Sequence, residues 1–336
     1  MSLSRFIRSH DWWDYKLPPI LAVGYATLLS GHKNIFEYYG YIALILLSVV
    51  VGAIYVSIIN DVSDIEVDRK AGKNNKMASL PKVMRWLLPV ACLSLGAGFI
   101  YFFYNPDILS CIFYTLPWIA FSMYSFPPFR LKNRGIWGVL ADASGAHIFI
   151  SLLMVSSLSY LSGQTINYGW LTAVFVWATC GGLRGILWHQ FTDRDNDIRS
   201  GIETFATRRN PADFKKMEWI ILMIELAALA LMLSMLNNLF VYVALLIYLV
   251  LMLLRYKVLR QQPIPILHNH PAYQILLLDF TDLFFPVALL LYASLNQPDT
   301  WIVLCAQLLL FPARWIMILK DVYRILLKKG SGSNLA

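Results

Sequence analysis

Long apolar runs with almost no charge recur along the whole chain and are separated by shorter polar connections. A helix needs about 20 predominantly apolar residues to cross a bilayer core, which is roughly the length of these runs. The runs are continuous and do not alternate between apolar and polar residues, so we predict helices and exclude barrel strands as the main element. The pattern predicts an all-α, polytopic transmembrane bundle. Its ten candidate spans are residues 13–30, 41–60, 86–104, 107–125, 137–159, 168–190, 217–236, 239–255, 273–295 and 299–319.

Composition supports an integral membrane protein, and the distribution of charge predicts its orientation. Apolar residues make up 58% of the chain and charged residues only 14%. Lys and Arg lie in the N-terminal segment and in alternate connections, whereas Lys33 is the only clearly external basic residue. The positive-inside rule then places both termini and the charged connections in the cytoplasm. The net charge of +8 reports this topology, so we infer no nucleic-acid partner.

The chain ends in a segment rich in Lys, Gly and Ser, "LLKKGSGSNLA". Segments of this composition are typically flexible. We predict one transmembrane domain over residues 1–320, followed by a basic, flexible tail over residues 321–336.

Three connections on the predicted cytoplasmic side are long and polar, at residues 60–85, 125–136 and 190–216. The first begins with "NDVSDIEVDR". In a helix, Asn60, Asp61, Asp64 and Asp68 fall within roughly 100° of one another, and Glu66 points away. The third contains "HQFTDRDNDIRSG", in which Asp193 and Asp197 share a helix face and His189 lies one turn earlier. The same acidic pattern therefore follows two separate spans.

Carboxylates one helical turn apart repel each other, so a bound cation would stabilise both clusters. Mg²⁺ takes oxygen ligands and typically combines one or two carboxylates with substrate phosphates. Two facing acidic clusters predict two Mg²⁺ ions that bridge to a diphosphate. The alternative is an ordinary solvated helix end, where the acids mix with Arg69, Lys70 and Arg194. Two matched clusters on one side of the membrane favour the metal hypothesis.

The second connection, "YSFPPFRLKNRG", carries the opposite charge. Pro127 and Pro128 end the preceding helix and force an extended turn, which holds Arg130, Lys132 and Arg134 near the membrane surface. A basic loop of this kind suits a diphosphate leaving group. The alternative is a positive-inside loop that only contacts lipid headgroups.

These motifs resemble those of the UbiA superfamily of intramembrane prenyltransferases. "NDVSDIEVDR" is similar to its NDxxDxxxD motif, "YSFPPFRLK" to its YSxPPxRLK loop, and "DRDNDIRSG" to its second DxxxD motif. The resemblance covers roughly residues 10–295, with the three motifs in the family's order.

The resemblance implies a bundle of usually nine helices around a central cavity that opens sideways to lipid. Members use Mg²⁺ to transfer an isoprenoid chain from a prenyl diphosphate to an acceptor, here expected to be lipophilic or aromatic. Carried over by motif, Asn60, Asp64 and Asp68 would bind one metal, and Asp193 and Asp197 the other. Asp61 would support the first cluster, and Tyr124, Arg130 and Lys132 would contact the diphosphate or the acceptor.

Further polar residues are candidates for the same site. Arg69 and Lys73 follow the first motif, where Lys73 and Lys76 stand in place of the arginines that many relatives carry. Ionisable residues inside spans usually face a cavity or one another. On that ground Asp142 is a candidate acceptor-binding or catalytic residue, and His189 a candidate substrate contact. Arg184 is expected either to contact the diphosphate or to form an ion pair, and Asp279 and Asp282 share one helix face.

Two other functions remain open from the sequence. Some relatives cyclise the prenyl diphosphate itself, and the same metal clusters would serve a membrane terpene cyclase. A cation transporter would also use aspartates, but it would place them near the membrane midplane. Here the acidic clusters lie at the ends of spans, which favours the enzyme.

Overall fold

The computed structural model describes residues 8–70, 72, 74–199, 201–268 and 270–331, and for residues 11 and 328–331 it describes the backbone only. The described chain is almost entirely helical. In order, its elements are α1 (Trp13–Ser30), α2 (Tyr39–Lys70), α3 (Lys82–Tyr104), α4 (Ile108–Ser125), α5 (Ile136–Leu161), α6 (Tyr168–Thr192), α7 (Arg194–Arg199), α8 (Pro211–Leu236), α9 (Leu239–Leu259), β1 (Gln262–Ile264), β2 (Tyr273–Ile275), α10 (Phe280–Asn296), α11 (Thr300–Leu310) and α12 (Pro312–Ser331).

Polar residues in the connections start several of these helices. The Asp107 side chain accepts hydrogen bonds from the backbone N–H groups of Leu109 and Ser110 at the start of α4. Asn167 and Asn238 cap α6 and α9 in the same way. Such caps satisfy the first N–H groups of a helix, which have no partner within it. They set the short turns between neighbouring spans.

Seven helices of the described chain are long and apolar enough to cross a membrane, namely α2, α3, α4, α5, α6, α8 and α9. They confirm seven of the ten predicted spans. Residues 13–30 do form α1, but that helix carries Asp14, Lys16 and two prolines and is less apolar. The predicted span 273–295 begins with β2, and its helix α10 starts only at Phe280. The usual count of nine spanning helices is therefore not confirmed.

The predicted tenth span, residues 299–319, is wrong as a continuous helix. The chain bends by 77° between Thr300–Leu310 and Pro312–Leu327. Pro312 has no backbone N–H, and its ring prevents the preceding residue from continuing a helix. Residues 321–331 are helical as the end of α12, and the rest of the tail predicted over residues 321–336 lies outside the described residues. Apolar residues and an ion pair at Asp321 hold this segment against the bundle.

The α1 helix lies in the middle of the bundle, because residues on all its sides are buried. Ala22, Val23 and Ala26 have no exposed surface. Two polar groups on α1 are matched: Thr27 Oγ1 accepts a hydrogen bond from Trp170 Nε1 at 3.0 Å, and Tyr25 donates one to Gln307 at 3.0 Å. The least apolar of the predicted spans is therefore surrounded by protein.

The three polar connections meet at one end of the bundle. Arg8 contacts Asp61, Arg130 contacts Asp64, and an isolated bridge pairs Gly135 with Thr204. These contacts join residues 8–12, 60–80, 125–136 and 192–210, which together we call the charged face. Its sequence positions are those that the positive-inside rule assigns to the cytoplasm.

Candidate functional site

The first acidic motif lies on the last three turns of α2. The helix continues without a break to Lys70, so the helical phase predicted for Asn60, Asp64 and Asp68 is present. Glu66 points away from them, is exposed, and pairs with Arg69 at 2.5 Å. The predicted direction of Glu66 is therefore correct. Arg69, which we expected at the diphosphate, instead lies on the outer surface with Glu66.

The basic loop reaches the centre of this motif. The Lys132 amine donates to Asp64 Oδ1 at 2.5 Å, to Asn60 Oδ1 at 3.1 Å and to Ser63 Oγ at 3.0 Å. The Arg130 guanidinium donates to the same Asp64 oxygen at 3.0 Å. Burial lowers the pKa of the Lys132 amine, and the neighbouring Asp64 carboxylate opposes that shift because it stabilises the charged form. Two cations thus converge on one carboxylate oxygen.

Local structure holds the basic loop in this position. Helix α4 ends at Ser125, and the Pro127–Pro128 peptide bond is cis. Arg130 then adopts a left-handed conformation with φ of 39°, and its backbone N–H donates to the Phe126 carbonyl at 2.8 Å. The resulting tight turn directs the side chains of Arg130 and Lys132 towards α2.

Asn75 supports the first motif, a role that was not predicted from the sequence. Its amide nitrogen donates to Asp68 Oδ2 at 2.8 Å and to the Asp61 carbonyl at 2.7 Å. Its amide oxygen accepts from the N–H groups of Met77 and Ala78, which caps the short 3-10 turn Lys76–Ser79. An Asn before a helical turn is a recognisable capping signal, but the contact with Asp68 depends on the fold.

Two basic residues near the N-terminus lie at the same end of the bundle as the acidic motifs. Arg8 forms an ion pair with Asp61 at 3.3 Å, and the supporting role of Asp61 stays a prediction. Lys16, on the first turn of α1, lines the cavity described below. In the sequence, the only sign of a role for Lys16 is that a lysine is unusual at the start of an apolar run.

The second acidic motif follows α6 with almost continuous helical geometry. The Asp193 N–H donates to the His189 carbonyl at 3.0 Å, and the Asp197 N–H donates to the Asp193 carbonyl at 2.9 Å. The predicted phase of Asp193 and Asp197 is therefore kept across the change from α6 to α7. Both carboxylates reach solvent, and His189 is exposed on the last turn of α6 with its ring 4.8 Å from Trp188.

Tyr124 lies on the last turn of α4, directly before the basic loop. Asp64 on α2, Asp142 on α5 and Asp197 on α7 lie within electrostatic range of its hydroxyl. The bridge between Gly135 and Thr204 ties the basic loop to the second acidic connection. Side chains separated by more than a hundred residues in sequence thus surround one position at the charged face.

An apolar cavity of about 110 Å³ lies next to this position. Helices α1, α2, α4 and α5 form its walls, and Tyr55, Val56 and Ser57 line it one turn before Asn60. Aromatic side chains provide much of the remaining surface, namely Trp12, Tyr114, Trp118 and Phe121. Lys16 is the charged side chain in the described lining. The structure therefore has an apolar space directly before the first acidic motif on α2.

Arg184 lies outside this site, so the expected contact with diphosphate is not present. Its guanidinium is buried, pairs with Glu225 at 2.5 Å, and donates to the carbonyls of Pro265 and Leu276. These carbonyls belong to the connection that carries β1 and β2. A buried guanidinium needs such partners for all its donors. Arg184 therefore has the structural ion pair that the sequence left as its alternative.

Asp279 and Asp282 do share a face, and they too are bound by arginine. Arg314 on α12 donates to Asp279 at 3.2 Å and to Asp282 at 2.7 Å. Lys73, proposed from sequence as a diphosphate contact, lies outside the described residues. Among the described residues, no three His, Cys, Asp or Glu side chains converge closely enough to hold a metal ion by themselves.

Comparison with known proteins places this arrangement in a family. The chain matches the sequence profile of the UbiA prenyltransferase family over residues 17–264. No curated protein sequence matches it.

Solved structures of a UbiA homolog from Archaeoglobus fulgidus have a similar fold. One of them has a TM-score of 0.50 at 13% identity and covers 97% of this chain and 98% of that chain. The structure of the homolog bound to Cd²⁺ has a TM-score of 0.50 at 14% identity and covers 96% of this chain and 98% of that chain. The structure bound to GPP and Mg²⁺ has a TM-score of 0.48 at 14% identity and covers 97% of this chain and 98% of that chain. Because the profile spans most of the chain, this integral membrane protein belongs to the UbiA prenyltransferase family.

Proposed function

We propose that the protein transfers an isoprenoid chain from a prenyl diphosphate to a lipophilic or aromatic acceptor in a Mg²⁺-dependent reaction. The observation that carries this proposal is the convergence of Arg130 and Lys132 on Asp64 beside an apolar cavity. The apolar chain of the substrate would occupy the cavity, and its diphosphate would lie among the carboxylates and cations. The family's activity and the order of the motifs support the same reaction.

The oxygens of the first motif suit a divalent cation. Asn60 Oδ1 and Asp64 Oδ1 already share one cationic partner, the Lys132 amine, so they converge on a common point. Mg²⁺ commonly binds only one or two protein carboxylates and completes its shell with water and phosphate oxygens. We assign Asn60, Asp64 and Asp68 to one ion, and Asp193 and Asp197 to a second. The Cd²⁺-bound structure of the Archaeoglobus homolog supports a divalent-metal site in this fold.

We assign the remaining site residues to the diphosphate leaving group or to the acceptor. The carboxylates of the two acidic motifs would hold Mg²⁺, which when bound would stabilise the negative charge on the departing diphosphate. Arg130 and Lys132 bind its oxygens through charge-assisted hydrogen bonds. The aromatic walls exclude water, which would otherwise capture the electron-poor allylic carbon. We assign Tyr124 to the diphosphate or the acceptor and Asp142 to the acceptor, and we place this whole site on the cytoplasmic side.

A pair of variants on one helix tests this proposal. Asp64→Ala removes the carboxylate shared by Arg130 and Lys132, and we expect prenyl transfer to fall by about a hundredfold or more. Glu66→Ala, two residues away and exposed, is the matched control and should keep nearly full activity. The assay follows transfer from geranyl or geranylgeranyl diphosphate to extracted membrane lipids and quinone precursors. Equal activity of the two variants would refute the assigned role of Asp64.

The same purified protein tests the competing terpene cyclase. Incubation with prenyl diphosphate and Mg²⁺ but without acceptor should give little product if an acceptor is required. A cyclic hydrocarbon formed in quantity under these conditions would replace the transferase proposal with cyclisation. Because both reactions need the diphosphate site, loss of both in Asp64→Ala would still support that site.

A further inference from the structure

The helix α12 is not continuous with the helix before it. It follows the 77° bend after α11, and the bend lies against the first turn of α1. There, Trp13 Nε1 donates to the Leu310 carbonyl at 2.7 Å, and the Ala313 N–H donates to Asp14 at 3.2 Å. The α1 helix begins next to the charged face, so the start of α12 lies at the same end of the bundle as the charged face.

One side of α12 is fixed to the bundle by buried ion pairs. Arg314 binds Asp279 and Asp282 at the start of α10, while Asp321 binds Arg255 at the end of α9 at 3.0 Å. All five of these charged residues are buried. Ile318 and Ile325 pack on the same side of the helix. These partners lie at the end of α9 and at the start of α10, on the same side of the bundle. The axis of α12 therefore crosses the ends of these two helices and does not run parallel to them.

The other two sides of α12 differ from each other in chemistry. Leu319, Tyr323 and Leu326 follow one another at helical spacing, and each is more than half exposed. Lys320 and Arg324 form a second exposed row, turned about 100° further round the helix, and the exposed Leu327 lies between the two rows. The helix thus has a protein-facing side, an apolar side and a basic side.

A membrane interface matches this three-sided pattern. A helix with an exposed apolar row and a basic row lies in the plane of the interface, with the apolar row in the acyl boundary. Lys and Arg near an anionic leaflet are attracted to its headgroups, and the charged face carries an excess of these residues. A second copy of the chain would cover the apolar row but would leave the basic row without complementary charge.

We propose that α12 is an interfacial helix whose Leu319, Tyr323 and Leu326 insert into lipid, while Lys320 and Arg324 bind anionic phospholipid headgroups. This surface is separate from the site of prenyl transfer, and it does not depend on the proposed reaction. Through the hydrogen bond from Ala313 to Asp14, the lipid-bound helix also contacts the α1 turn that carries Lys16 at the cavity.

Depth measurements test where α12 lies. The full chain, with its four cysteines replaced, carries a nitroxide label at Tyr323→Cys or at Lys320→Cys in phosphatidylcholine–phosphatidylglycerol nanodiscs. We expect the label at 323 to be relaxed by oxygen and shielded from a water-soluble nickel chelate, with the opposite preference at 320. Equal exposure of both labels to the chelate, or equal shielding of both, would overturn the proposal. Shielding from both reagents at 323 would assign the apolar row to a second copy, which also overturns it.

The amount of lipid that stays bound during purification tests whether Lys320 and Arg324 bind anionic headgroups. The protein is purified from membranes with equal parts of phosphatidylcholine and phosphatidylglycerol, and bound lipids are counted by native mass spectrometry. Lys320→Glu with Arg324→Glu should lower retained phosphatidylglycerol at least about fivefold. Lys215→Glu with Lys216→Glu is the matched control, since it makes the same charge change at the exposed start of α8. Equal retention in both double variants, or equal loss, would contradict specific binding by α12.

Discussion

Asn75 illustrates how one side chain can organise a site at the scale of a residue. It caps a 3-10 turn with its oxygen and holds both Asp68 and the backbone at Asp61 with its nitrogen. In Asn75→Ala, we expect the Mg²⁺ concentration for half-maximal activity to rise about tenfold, because residues that orient metal ligands typically contribute that much to metal affinity. Titration of prenyl transfer with Mg²⁺ measures the change.

The neighbouring Asn74 provides the control, since it is exposed and makes none of these contacts. Asn74→Ala should leave the Mg²⁺ titration unchanged. If Asn75→Ala also titrated like the native protein, the contact with Asp68 would have no part in metal binding. The capping function of an Asn before a turn was readable from sequence, whereas its reach to Asp68, seven residues earlier, was not.

At the scale of the element, α12 depends on charges that are buried against α9 and α10. Arg314→Met would leave Asp282 without its arginine, while Asp279 would keep Arg255. Removing one partner from a buried ion pair typically costs about 3–5 kcal/mol. We therefore expect a clearly lower thermal unfolding temperature in detergent. Arg324→Met is the control: it removes an exposed partner of Asp321 at 3.5 Å, and exposed pairs contribute about 0–1 kcal/mol.

A double variant separates the ion pair from simple packing. Asp282→Leu added to Arg314→Met removes a charge that the single change leaves buried, so part of the lost stability should return. Stability that falls further in the double variant would argue that each residue acts independently. Sequence phase placed Asp279 and Asp282 on one face, but their partner lies 32 to 35 residues away. Nothing local in the sequence identifies such a partner.

At the scale of the whole molecule, four helices enclose the cavity, and we expect its size to limit the length of the prenyl chain under the proposed reaction. Gly52 on α2 lines it, and a Cβ atom there would meet Trp118 at an ordinary distance of 3.7 Å. Gly52→Leu should therefore fold and fill part of the cavity. Under the proposed reaction, we expect kcat/KM for geranylgeranyl diphosphate to fall about tenfold relative to geranyl diphosphate, since lost apolar contacts of this size discriminate by about 10–200-fold.

Gly40 lies on the same helix, and a Cβ atom added there would meet no described atom within 4 Å, so Gly40→Leu is the control outside the cavity. It should not change the ratio between the two substrates. A uniform loss with both substrates in Gly52→Leu would instead indicate that the substitution disturbs the bundle and that the cavity does not select chain length.

The sequence by itself determined the helical class, seven of the spans and the phase of both acidic motifs. These properties are local: lipid requires continuous apolar helices, and a spacing of 3.6 residues decides which side chains share a face. The motifs also identified the family. Only the tertiary structure decided the partners of the charged residues, because ion pairs form between distant positions. It bound Lys132 to Asp64, paired Arg184 with Glu225 and bent the predicted tenth span at Pro312.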